Sequence, residues 1–99
     1  MVKLLMSWNI RPRYEDEYFE FIVREFGPGL VALGIRPTDA WYTYYGDYPQ
    51  ILTGGVVENL ERLQNILSSD EWRELKEKLL TYVTDYKQKI IHASGGFQL

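Results

Sequence analysis

Within 99 residues the apolar pattern passes twice from a period of two to a helical period and back, and this order limits the fold more than any single motif. Val2, Leu4, Met6, Trp8 and Ile10 share one face of a strand, and Lys3, Leu5, Ser7, Asn9 and Arg11 the other. Pro12 ends the strand and suits the first turn of a helix. Glu15, Asp16 and Glu17 follow, where carboxylates complement the positive end of the helix dipole. Phe19, Ile22, Val23 and Phe26 form a stripe at helical spacing with Tyr18 at its edge, so Phe21 falls toward the polar side with Glu20 and Arg24. Gly27-Pro28-Gly29 predicts a break or kink, Leu30, Val31 and Leu33 a further short turn, and Gly34 a C-terminal cap.

Residues 40–48 favour a strand with aromatics on both faces, Gly46-Asp47-Tyr48-Pro49 reads as a hairpin turn, and residues 51–57 return as the partner. Gly54-Gly55 inside that strand marks a bulge or a close approach by another backbone or a ligand. Asn59 caps a short helix carrying Leu60, Leu63, Ile66 and Leu67. Ser68 and Glu71 have capping-box spacing and open a longer helix with a stripe of Trp72, Leu75, Leu79, Tyr82, Val83 and Tyr86. Glu74 and Lys78 form an i, i+4 pair on its wet side. Residues 87–93 read as the last strand.

The order is β-α-β-β-α-β, which predicts an α+β, ferredoxin-like fold with a four-stranded antiparallel sheet in one domain over residues 1–99. Both helices then cover one sheet face. The other face presents either Tyr42 and Tyr44 or Trp41 and Tyr45 with Thr43 between them, too aromatic to leave in water. A second copy of the chain is the simplest cover, because most soluble oligomers are two-fold homodimers.

Charge and composition exclude several functions. The net charge is −3 with no Lys/Arg block, whereas nucleic-acid binding needs a basic footprint. With no Cys there is neither a disulfide nor a thiolate metal site, which accords with a cytoplasmic location. No apolar run approaches a membrane span or a signal peptide. Glu15 to Glu17 point in different directions around a helix and predict no metal cluster, and no glycine-rich phosphate loop joins a strand to a helix.

The element order, the Gly34-Ile35-Arg36 helix exit, Tyr45-Gly46-Asp47-Tyr48-Pro49, Asn59-Leu60-Glu61 and above all Ile66-Leu67-Ser68-Ser69-Asp70-Glu71-Trp72 resemble the dimeric α/β-barrel superfamily, its NIPSNAP-like and antibiotic-biosynthesis-monooxygenase-like members in particular. The resemblance spans nearly the whole chain. It implies two sheets facing each other across a homodimer, with a pocket in each subunit between sheet and helices. It also implies activities that range from cofactor-independent oxygenation of polycyclic aromatics to haem degradation, alongside members with none known. Haem-degrading members carry an Asn on the first strand and a His on the last long helix. Asn9 matches the first, but the sole His, His92, falls on the last strand, so no cofactor is expected.

Five residues are candidates for ligand contact, and no catalytic set is legible. His92 is the one side chain with a reference pKa near neutrality, suited to a pocket base or donor, or plainly to a strand seam. Asn9 can orient a ketone or enolate oxygen and Arg11 can stabilise negative charge, or both are polar strand-end residues. Trp41 and Tyr45 flank Thr43 and either line a flat aromatic site or pack across a dimer. The functional expectation is a homodimer that binds a small apolar or aromatic ligand. Its alternatives are a cofactor-free oxygenase on an aromatic or polyketide-like substrate, and an interaction module using Phe21 and Phe97.

Overall fold

A computed structural model describes residues 1–45 and 48–92, with residues 39, 41–45, 48 and 49 described by their backbone alone. The elements are β1 (Val2–Ile10), α1 (Glu15–Phe21), a π-helical turn (Ile22–Phe26), α2 (Gly27–Leu33), β2 (Arg36–Tyr45), β3 (Tyr48–Val57), α3 (Leu60–Leu67), α4 (Asp70–Tyr82) and β4 (Val83–His92). The strands form one antiparallel sheet in the order β2-β3-β1-β4. The fold is the expected α+β, ferredoxin-like one, with each split βαβ unit enclosing a strand of the other.

The strict alternation of β1 sets the layers. Val2, Leu4, Met6, Trp8 and Ile10 are buried under the helices, while Lys3, Leu5, Ser7 and Asn9 are half-buried on the open face. Tyr18, Phe21, Phe26 and Leu30 meet that core from the first helical segment, and Leu63, Ile66, Trp72 and Leu79 from the second. The core takes the form of an inter-layer filling, as an amphipathic helix packed on an amphipathic sheet requires.

The phase of the first helix differs from the expectation. Phe19 and Val23 are 44% and 73% exposed, whereas Phe21 is buried at 4%. The cause is the π turn, in which the Gly27 N–H donates to the Ile22 carbonyl five residues back. One extra residue in the turn lets Phe21 and Phe26 share a face that an ordinary helical count would separate. The same turn precedes Pro28, which stands at the start of α2, and the chain stays helical through Gly27-Pro28-Gly29 instead of breaking there. Gly34 ends α2 with φ 99°, as its cap position predicted.

Other boundaries shift for equally local reasons. Asn59 caps α3 through its side chain, which accepts from the Arg62 N–H at 2.8 Å. The cap of α4, however, is Ser69, which accepts from the Trp72 N–H at 3.2 Å, while the Ser68 hydroxyl donates back to the Gln64 carbonyl. The helix stops at Tyr82, whose carbonyl accepts the Arg11 N–H at 2.9 Å, and Val83 pairs with Ile10 in the sheet. Val83 and Tyr86 therefore belong to β4, not to the helical stripe, and β4 begins four residues before the expected position 87. Lys78 reaches Glu25 of the π turn at 2.9 Å in preference to the expected Glu74. Its pKa is raised by that hydrogen bond and charge, with Glu74 adding to them at longer range. Gly55 is required by close approach: a Cβ there would run into the Ile35 side chain and come within 3.2 Å of the Arg36 carbonyl. The expected hairpin turn includes Gly46 and Asp47, which lie outside the described residues, as do residues 93–99 with Phe97.

Candidate functional site

Trp8 is the centre of the arrangement. Alternation turns its side chain toward the helices, where it is 2% exposed. Its indole N–H donates to the Tyr18 hydroxyl oxygen at 2.9 Å, a bond between two buried side chains. Phe26 meets the indole edge-on, with centroids 5.8 Å apart and planes at 87°. Tyr86 stacks on it, 6.0 Å away and 9° from parallel.

The Tyr86 stack depends on an irregularity in β4. Ser7 pairs with Lys87 but Asn9 pairs with Thr84, so Asp85 and Tyr86 together oppose Trp8. This is a β-bulge, and Asp85 adopts φ 56° within it. The extra residue lets Tyr86 turn to the helix side while Asp85 accepts the Asn9 side-chain amide at 2.9 Å. On the helix side the Lys76 ammonium lies 4.8 Å from the Tyr86 ring centroid. Burial raises the Tyr86 phenol pKa above its ordinary value.

Beside Trp8, between the first helical segment and the sheet, lies a cleft of about 290 Å³. Tyr18, Phe19, Ile22, Phe26 and Leu30 form its helical wall, and Trp8, Ile51, Thr53, Pro37 and Ala40 the sheet side. None of these residues carries a charge. The polar groups that border it are the Tyr18 and Thr53 hydroxyls and the Trp8 N–H, which donates to Tyr18. The cleft's lining therefore suits a small neutral apolar body and offers it no ion pair.

The residues singled out from sequence fall largely elsewhere. Asn9 faces the open side of the sheet, bonded to Asp85. The Arg11 guanidinium donates to the Leu80 carbonyl at 3.4 Å, at the end of α4. His92 is exposed and pairs with Val2, seven positions along β1 from Asn9, or about 23 Å of strand. Within one chain this register holds Asn9 and His92 apart. In the backbone register Trp41 pairs with Leu52 and Tyr45 with Tyr48; the side chains of Trp41 and Tyr45 lie outside the described residues. Phe21, expected to be exposed, is core. Sequence reasoning missed Tyr18, Ile22, Phe26 and Thr53, whose signal is that of any core residue.

The open sheet face carries a second hollow of about 470 Å³, lined by Leu5, Ser7, Leu52, Lys87 and Lys89 among others. Leu52 and Ile91 on this face are 41% and 37% exposed. Among the described residues no group of three or more His, Cys, Asp or Glu could hold a metal, and no helix is long and apolar enough to cross a membrane.

The sheet order, the helices on one face and the inter-layer cleft define an α+β protein of the ferredoxin-like class. Its fold is that of NIPSNAP-domain and antibiotic-biosynthesis-monooxygenase-like proteins. An uncharacterised NIPSNAP-like domain protein from Burkholderia xenovorans superposes with a TM-score of 0.69 at 20% identity, covering 99% of this chain and 89% of that one. An antibiotic-biosynthesis-monooxygenase-like protein from Deinococcus radiodurans gives 0.71 at 15% identity over 100% and 98% of the two chains. An Arabidopsis thaliana protein gives 0.76 at 10% identity over the full length of both. No protein-family model and no curated protein sequence matches the chain.

Proposed function

We propose that this chain is a homodimeric α/β-barrel protein that binds one small, neutral, apolar or aromatic molecule per subunit in the cleft beside Trp8. The observation that carries the reading is the lining: about 290 Å³ walled by aromatic and aliphatic side chains, without a charge. Such a site favours a ligand that gains from leaving water and has no ion to desolvate. The volume lies at the lower end of ligand pockets, which limits the ligand to one of a few rings. Likeness in fold to antibiotic-biosynthesis-monooxygenase-like proteins supports a small-molecule ligand.

Titration with 1-aminoanthracene tests the ligand. The wild type should enhance its fluorescence saturably, and Ala40→Phe, which fills the sheet side of the cleft, should weaken binding by about tenfold. Equal affinity in both proteins removes the cleft as the site. The dimer is supported by an apolar patch on the open face, where Leu5, Leu52 and Ile91 lie together among Lys87 and Lys89 without a cover from the chain's described residues. Light scattering at micromolar concentration should return twice the chain mass, and Leu52→Glu should shift it toward one. A monomer mass for the wild type ends that half of the proposal.

A further inference from the structure

We infer that the π turn Ile22–Phe26 makes the cleft, and that its length sets which ligands enter; the second clause rests on the ligand reading above. An α-helix inserts a residue at a π turn by widening one loop of its ladder. Here the widened loop is closed by the Gly27 N–H on the Ile22 carbonyl, and both residues border the cleft. Val23, Arg24 and Glu25 of the turn are all exposed; Arg24 and Glu25 make ion pairs with Glu20 and Lys78, which leaves Val23 as the residue to remove. The side chain of Val23 is 73% exposed although it is branched and apolar, while Phe21 and Phe26 on either side of it are buried. Removing one residue between them restores i, i+4 spacing, the ordinary same-face relation in an α-helix.

Pro28 holds the turn in place. In an uninterrupted α-helix position 28 would donate to the carbonyl four residues back, which is that of Arg24. Proline has no N–H to give and its ring presses on that carbonyl. The π turn displaces the ladder immediately before Pro28, at the one place where this conflict would occur. The sequence Gly27-Pro28 thus stabilises a wide turn over a narrow one. The consequence reaches the site, because Ile22 and Phe26 are the first and last residues of the turn and both line the cleft. Tightening the turn draws those two side chains together and closes the space between them.

Deletion of Val23 is the direct test, read by xenon-induced shifts of the Ile22, Leu30 and Ile51 methyl resonances, since xenon needs only apolar space. The wild type should show saturable shifts at all three. The deletion should keep its near-ultraviolet circular dichroism, because the buried face is unchanged, and lose the xenon shifts. Pro28→Ala, which restores the donor without changing chain length, should reduce them partly and is the measure to use if the deletion unfolds. Xenon shifts of wild-type size in a folded deletion variant, or in Pro28→Ala should the deletion unfold, overturn the inference. With 1-aminoanthracene the deletion should bind about tenfold or more weakly. If the wild type takes xenon but not the aromatic probe, the ligand reading and size selection fail while the π turn's role in forming the space stands.

Discussion

Tyr18→Phe removes the oxygen that accepts the Trp8 indole N–H in the cleft wall. The substitution removes one oxygen and leaves the ring, so its volume effect is small. Trp8 and Tyr18 are each 2% exposed, and the Trp8 N–H donates to that oxygen at 2.9 Å. Without it the indole N–H is a buried donor with no acceptor, which costs about 1–3 kcal/mol. A domain of this size melts about 4–8 °C lower for each kcal/mol lost, so the midpoint should fall by at least about 4 °C. Thermal denaturation followed by far-ultraviolet circular dichroism measures this directly. Adding Trp8→Phe completes a double-mutant cycle, whose coupling should be about 1 kcal/mol or more. A midpoint for Tyr18→Phe within about 1 °C of the wild type refutes the reasoning. It would mean that water reaches the indole through the cleft and replaces the phenol, and an apolar ligand would then have to displace that water.

Gly55→Ala should destabilise by about 1–3 kcal/mol through overpacking against Ile35, as read by urea denaturation; Gly54→Ala should cost less, because its nearest neighbours, the Leu4 carbonyl and the Lys3 and Leu5 side chains, all stand back at 3.1 Å. Ser69→Ala should cost about 1 kcal/mol and Ser68→Ala clearly less, the reverse of what the Ser68–Glu71 spacing suggests, and equal effects would refute the cap assignment. For Tyr86 burial raises the folded pKa above the unfolded value of 10.0, so above that pH the unfolded chain gives up a proton that the folded chain keeps. Stability is therefore complete below the unfolded value and falls as pH rises past it, by up to about 1.4 kcal/mol per unit. Melts across about pH 9 to 11 should be flatter for Tyr86→Phe than for the wild type, and parallel curves would refute this.

The regular parts of the fold were legible because burial enforces period. Every apolar residue of β1 on the predicted face is buried, and Asn59 and Gly34 cap as their chemistry requires. What the sequence could not disclose was register between distant segments. Asn9 and His92 both belong to neighbouring strands, but antiparallel pairing places His92 against Val2. Nor does a capping pattern choose between adjacent serines: Ser69 has the extended backbone an N-cap needs, with ψ 155°, while Ser68 at ψ 2° still closes the preceding helix. The cleft was hidden for a different reason. A side chain that walls a cavity and one that fills a core obey the same hydrophobic period, so Trp8, Ile22 and Phe26 read alike in either role.

Two departures from regular pattern meet at Trp8, and this argues that the indole is where the fold is specialised. Apart from the register shift between Pro37 and Ala40 in β2, two elements carry one residue more than regular geometry allows: the π turn in the first helix and the bulge at Asp85-Tyr86 in β4. Each costs regular hydrogen bonding, and Asp85 adds a left-handed backbone that a side chain other than Gly, Asn or Asp would find strained. Each also delivers a ring to the same place, Phe26 to the edge of Trp8 and Tyr86 to its face. Tyr18 fixes the remaining polar atom. A core residue of β1 needs none of these devices, as Leu4 and Met6 show on the same strand with the same burial. Where local rules are broken in two elements to hold one side chain, the side chain is being positioned and not merely packed. The cleft beside it, bounded by the same π turn, supplies the reason for holding the indole still.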